Sequence, residues 1–154
     1  GSEMCIRDSL MWMDAVYEPG EVKVVAYNKD GKAVAEKTVR TAGKPHHIEL
    51  VSNRNELTAD GKDLAYVTVK VVDKDGNLCP TDSRLIHFSV KGAGKFRAVA
   101  NGDPTNLEQF HLPKMHAFHG MLTAIVQAGE IAGDLVLTAK ASGVKTGTVH
   151  LQAK

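Results

Sequence analysis

Leu64-Ala65-Tyr66-Val67-Thr68-Val69-Lys70-Val71-Val72 runs directly into Asp73-Lys74-Asp75-Gly76-Asn77. Apolar and polar side chains alternate through the first stretch, the period of a strand with one face in a core and the other in water. The alternation predicts Ala65, Val67, Val69 and Val71 inside, with Tyr66, Thr68 and Lys70 outside. The second stretch reads as a turn, because Gly supplies a positive φ while Asp and Asn side chains bond nearby backbone. A long strand ending in a tight turn is one arm of a hairpin, so the question becomes how many more arms the chain holds.

Working outward, Thr41-Ala42-Gly43-Lys44-Pro45 is a Gly- and Pro-containing boundary between two strand-rich blocks. After it come strand-like runs at about 47–51, 64–72, 84–91, 96–100, 121–128, 134–141 and 145–153. Seven short strands with frequent turn signals predict an all-β fold, an immunoglobulin-like β-sandwich over residues 46–154. Its inward set continues through Leu122, Ala124 and Val126, then Leu135, Leu137 and Ala139, then Val149 and Leu151. Trp12, the single tryptophan, lies outside this block, so the core rests on aliphatic burial and not on the Cys-Trp-Cys arrangement of antibody domains.

Upstream, Gly1-Ser2 reads as a protease-site scar and Met4-Cys5-Ile6-Arg7-Asp8-Ser9 resembles a translated adapter from assembled metagenomic reads. Residues 1–9 are therefore expected to be a leader foreign to the fold, with the natural chain continuing further upstream. Residues 10–43 read as a partial β-domain, a hairpin or a three-stranded remnant. Tyr17-Glu18-Pro19-Gly20 is a turn, Glu21 to Tyr27 alternates, and Asn28 to Lys32 closes a hairpin onto Ala33 to Arg40. Two strands alone are marginal in water. Strands missing from this unit would leave an edge open to pairing with a second copy, a route to a homo-oligomer.

Composition narrows the function classes. A formal net charge of +1 carries none of the basic excess of nucleic-acid binders. The longest apolar run is far below the roughly 20 residues that cross a bilayer, so no membrane partner is expected. Cys5 and Cys79 sit in unlike settings and are read as free thiols. No Ser-His-Asp or Cys-His arrangement points to a nucleophile, and no cofactor is expected.

The stretch from Val99 to Ala128 is the one long connection that is neither short nor bland. Asn101-Gly102-Asp103-Pro104 gives it strong turn chemistry at one end, and Gly120 restarts an alternating strand at the other. Leu107, Phe110, Leu112, Met115 and Phe118 are expected to tie it across one end of the sandwich.

Taken together, Leu10 to Pro45 resembles the end of the small β-domain that follows the catalytic barrel in bacterial β-galactosidases of glycoside hydrolase family 2. The carriers are Y-E-P-G-E at 17–21 and R-T-A-G-K-P at 40–45. Residues 46–154 resemble the C-terminal immunoglobulin-like domain of the same enzymes, through A-D-G-K-D at 59–63, N-G-D-P-T-N-L-E-Q-F at 101–110 and A-F-H-G at 117–120. The resemblance implies a parent that cleaves β-galactosides or related β-glycosides by the retaining mechanism, with both catalytic carboxylates on a barrel that this chain lacks. It implies no catalytic residue here. What remains is a non-catalytic accessory role beside the barrel and other domains of the parent, in a periplasmic or extracellular setting. The resemblance also exposes a departure, since relatives tend to carry Lys or Arg, or Asn before the Gly of A-F-N-G, where this chain has His111, His116 and His119. An adhesin-type spacer domain shares the A-D-G-K-D opening, and a carbohydrate-binding module is a third reading.

Candidate sites follow from residue type. Asn101, Asp103, Phe110 and Phe118 are the candidate carbohydrate contacts, although a pyranose platform usually needs more aromatics than the 5% present. Loop capping is the reading favoured for the polar pair, and loop anchoring for the rings. His111, His116 and His119, with Glu108 near, are the candidate metal ligands. Their spacing matches no common site, which favours surface histidines. Adjacent His46 and His47 are expected to point to opposite faces of a strand. Asp73 to Asn77 resembles the first half of a calcium loop, but position twelve is Arg84 where a bidentate Glu is needed, so the hairpin reading is preferred.

Overall fold

The computed structural model describes residues 16–154. The leader at 1–9, Cys5, Trp12 and the first residues of the 10–43 block lie outside the described residues. The chain divides into two compact units, with the boundary between Thr41 and Ala42.

The first unit holds an antiparallel hairpin of β1 (Glu21–Tyr27) and β2 (Ala33–Arg40). Its turn is built by Asn28, whose Oδ1 accepts from the backbone N–H of Asp30 and Lys32 at 3.0 and 2.9 Å while Gly31 takes φ 75°. Pairing Val22 with Val39 and Ala26 with Ala35 puts these apolar side chains on one face, with Lys37 opposite Val24 between them. The other face carries Glu21–Arg40 and Lys23–Glu36 ion pairs at 2.7 and 2.8 Å. Val22, Val24 and Val39 stay exposed.

The second unit is a two-sheet sandwich. One sheet orders β3 (His47–Ser52), β5 (Leu64–Val72), β9 (Met121–Ala128) and β7 (Gly94–Ala100) side by side. The facing sheet orders β4 (Glu56–Leu57), β11 (Gly147–Ala153), β10 (Gly133–Lys140), β6 (Leu85–Gly92) and β8 (Lys114–His116). The fold is therefore all-β, with an immunoglobulin-like sandwich as the alternation implied. Ala65, Val67, Val69 and Val71 are buried, as are Leu122, Ala124, Val126, Leu135, Leu137, Ala139 and Leu151. Val149 is half-buried against the same core.

Nine strands form this unit where the pattern predicted seven. The additional β4 and β8 are two and three residues long, too short to show a period. Other bounds move by a residue or two: β7 begins at Gly94 and not Phe96, and β11 at Gly147 and not Lys145. Ile86, Phe88, Met115 and Val99 complete the core, with Phe88 stacked on Phe96 at 5.8 Å between ring centres.

Candidate functional site

The connection from β7 to β9 is a ladder of side chains bonding their own backbone. Asn101 Oδ1 accepts from Asp103 N–H at 3.1 Å, and Asp103 Oδ1 accepts from the N–H and hydroxyl of Thr105 at 2.8 and 2.7 Å. Asn106 Oδ1 then accepts from Glu108 N–H at 3.0 Å. Each is the short-range capping bond that Asn and Asp favour over regular structure. Glu108 reaches across to β8, accepting from the His116 N–H at 3.1 Å and pairing with His116 Nδ1 at 3.0 Å. Asn101 Nδ2 donates to the His116 carbonyl at 3.0 Å, closing the loop on itself. The Thr105 bonds, and the charge of His119, hold the Asp103 carboxyl below the usual carboxylate range.

The apolar residues of this loop divide. Met115 is wholly buried on β8, and Leu112 and Phe118 are half-buried. Leu107 is 96% exposed and Phe110 56% exposed, so these two do not tie the loop down. The backbone does that instead: Val99 N–H donates to the Phe110 carbonyl and Phe88 N–H to the Pro113 carbonyl, both at 2.8 Å. Phe110 thus has a fixed backbone and a free ring. Sequence pattern could not separate it from Met115, because a loop has no period from which to read a facing direction.

Of the candidate carbohydrate contacts, Asn101 and Asp103 are occupied by loop bonds, Phe118 lies against His119 at 4.2 Å, and Phe110 faces outward. The three loop histidines are all exposed, with His116 on Glu108 and His119 on Phe118. Among the described residues no group of three or more His, Cys, Asp and Glu is arranged to hold a metal ion.

His119 and Gly120 form the turn into β9. Phe118 and Met121 exchange two backbone bonds of 3.0 Å across them, and the central residues take φ 51° and 73°. Positive φ at both central positions is the type I′ hairpin, which prefers Asn-Gly. Gly120 is required for a second reason, since a Cβ there would lie 2.2 Å from the Cys79 carbonyl oxygen.

Two other expectations resolve here. His46 and His47 do not diverge: their Nδ1 atoms lie 3.0 Å apart and their rings meet edge to face. His46 precedes β3, so the strand alternation does not reach it. Asp73 Oδ1 accepts from the N–H groups of Asp75 and Asn77 at 2.9 and 2.8 Å, the offsets that Asn28 uses in the first unit. The Asp-Lys-Asp-Gly-Asn stretch is a hairpin turn, with Arg84 turned onto Asp82 at 2.6 Å. Cys79 is a buried free thiol whose pKa is pushed up by burial, with the Asp73 and Asp82 charges adding to the effect.

Comparison with known proteins then decides the family. Residues 48–150 match glycoside hydrolase family 2 C-terminal domain 5. The chain belongs to glycoside hydrolase family 2. Residues 7–35 of this family 2 chain match a domain of unknown function, DUF4982. Over 138 residues it is 44% identical to the β-galactosidase BoGH2A of Bacteroides ovatus, covering 90% of this chain and 16% of that protein. A family 2 glycosyl hydrolase structure from Bacteroides cellulosilyticus superposes with a TM-score of 0.83 at 31% identity, over 91% of this chain and 18% of that one. A β-glycosidase structure from Bacteroides vulgatus gives 0.84 at 27% identity, over 89% and 18%. The chain thus spans under a fifth of the length of these relatives. The matched region is a C-terminal domain of that family, and no catalytic barrel is present among the described residues.

Proposed function

We propose that this chain is the accessory C-terminal region of a β-galactosidase-type enzyme with retaining chemistry, and that its role is architectural. Residues 10–43 would complete the small β-domain after the barrel, and residues 46–154 would form the terminal sandwich. The partners are the barrel and other domains of the same polypeptide. The observation that carries this reading is the 44% identity, over nine-tenths of this chain, to a β-galactosidase of which it covers only 16%. The chemistry of the loop agrees with it, since Asn101, Asp103, Thr105 and the Asn106 Oδ1 are engaged in bonds within the loop.

The test is direct. The purified chain is expected to melt cooperatively, to release no nitrophenol from an aryl β-galactoside and to give no saturable heat with galactose or lactose. Turnover above the blank would overturn the reading. Saturable sugar binding that disappears in Phe110→Ala would replace it with a carbohydrate-binding module.

A further inference from the structure

His46 and His47 stand at the entry to the sandwich, on a backbone held from two sides. The His46 N–H donates to the Val72 carbonyl on β5 at 2.8 Å, and the His46 carbonyl accepts from the Lys145 N–H at 2.9 Å. The Ile48 N–H donates to the Lys145 carbonyl at 3.1 Å, so the start of β3 is clamped between β5 and the connection into β11. Gly147 permits the close approach, since a Cβ there would lie 2.4 Å from the Ile48 carbonyl oxygen. Both histidines are half-buried.

On this fixed backbone the two rings meet nitrogen to nitrogen. The Nδ1 atoms are 3.0 Å apart and the ring planes are perpendicular. The ring centres are 5.2 Å apart, close to the nitrogen separation plus one ring radius at each end, so the two Nδ1 atoms face each other head on. An imidazole Nδ1 commonly bonds a backbone carbonyl, a carboxylate or a metal. Here each is aimed at the other, and two nitrogen lone pairs face each other only with a proton or a cation between them.

We propose that His46 and His47 form a two-coordinate site for Cu(I), held in line between the two Nδ1 atoms. A monovalent ion with a filled d shell accepts two opposed ligands, the arrangement these rings already display. Zn(II) and Ca(II) need four or more ligands. Among the described residues no third His, Cys, Asp or Glu joins the pair. At roughly 2 Å for each metal–nitrogen bond, the nitrogens would stand about 4 Å apart, so each ring withdraws by about half an ångström. Side-chain rotation supplies that movement while the clamped backbone stays in place. Two dative bonds form, no electron is transferred, and the proton between the rings moves from Nδ1 to Nε2 of the ring that carried it.

The test uses the 154-residue chain with Cys5→Ser. The one remaining thiol is Cys79, which is buried and only 3% exposed. Ag(I), a redox-inert ion with the same preference for two opposed ligands, is added to one equivalent and the imidazole nitrogen-15 resonances are followed. The Nδ1 resonances of His46 and His47 are expected to shift together, while those of His111, His116 and His119 stay in place. His46→Gln and His47→Gln should each weaken binding by at least the roughly hundredfold that loss of a supporting residue can cost a metal site. Replacing His111, His116 and His119 together by Gln should leave it unchanged. Cu(I), added under reducing conditions, should give an X-ray absorption spectrum with two nitrogen neighbours and no sulfur. Unmoved Nδ1 resonances would show that a hydrogen bond is all the pair makes and would overturn the site; this readout uses the native histidines and does not depend on the Gln variants folding. Binding that survives either single substitution, that is lost with the three loop histidines, or that shows sulfur at the metal would overturn it as well.

Discussion

The backbone N–H of Gly43 donates to Oδ2 of Asp73 at 2.8 Å, joining positions thirty residues apart. The same carboxylate accepts from the N–H groups of Asp75 and Asn77 and from the Asn77 side-chain amide. Asp73 is buried, and a buried acceptor in contact with this many donors cannot be removed without leaving several of them unpaired. It makes one residue serve both the β5 turn and the start of the sandwich.

Asp73→Ala is therefore expected to lower the melting temperature of the sandwich by roughly 5 °C or more. The bonds from Gly43, then from Asn77, hold the Asp73 carboxyl far below its ordinary range. A depressed native pKa means that the unfolded state takes up the proton first as pH falls. Asp73 thus contributes its full stability above the unfolded value of about 3.9, and that contribution is lost on acidification towards the lower folded value. Urea midpoints measured from pH 2 to 7 are expected to climb more steeply in wild type than in Asp73→Asn. Parallel curves would show that the carboxylate charge is not what the turn requires.

His119 is expected to be a suboptimal residue at its own position. It is the one non-glycine residue with positive φ among the described residues, and it occupies the first central position of a type I′ turn. Asn adopts this conformation at lower cost because its short side chain bonds locally. His119→Asn should stabilise the sandwich by about 0.5 kcal/mol in urea denaturation, and His119→Val should destabilise it by more than 1 kcal/mol, roughly the left-handed penalty. A loss of stability in His119→Asn would show that the ring contact with Phe118 outweighs the backbone preference.

Much of this architecture is written in the alternation. The inward sets of β5, β9 and β10 were legible because the pairings of β5 with β9 and of β10 with its neighbours run without a register shift, whereas β7 carries a bulge between Phe96 and Ala98. The I′ turn was half legible: the displacement of Asn by His119 before Gly120 was visible, but the φ that gives it meaning was not. Leu107 and Phe110 were misread as anchors because apolar content predicts burial only where a period supplies direction. The His46–His47 contact was missed because a strand rule was applied to a residue just outside the strand.

Arg84 supplies a third test. Its Nε and Nη2 bond both carboxylate oxygens of Asp82, at 2.6 to 2.9 Å, and its Nη1 donates to the Ser142 carbonyl at 2.7 Å. This ties the segment before β6 to the loop between β10 and β11. Asp82 is buried, so Arg84→Ala strands a carboxylate and is expected to cost about 3 kcal/mol. Arg84→Lys cannot span both partners, because an ammonium is a point charge and not a fork. It should recover less than half of the loss in urea denaturation. Full recovery by lysine would show that charge alone, without the contact to Ser142, holds this corner.

The last test concerns the hairpin of β1 and β2. Its apolar face keeps Val22, Val24 and Val39 exposed, while its polar face is held by exposed ion pairs of the kind worth at most about 1 kcal/mol each. A lone two-stranded hairpin is marginal in water even with a good turn, and the Asn28 turn adds only local bonds. Hydrogen exchange at pH 7 should therefore separate the two units of the chain. Amides of residues 21–40 are expected to exchange within seconds to minutes, through opening of a few ladder bonds. Amides of β5 and β9, at the centre of their sheet, should open only with global unfolding and stay protected for hours. Equal protection would mean that Val22, Val24 and Val39 are covered in solution. In that case Val39→Asp, opposite Val22 on that face, should collapse protection of the hairpin while leaving β5 and β9 unchanged.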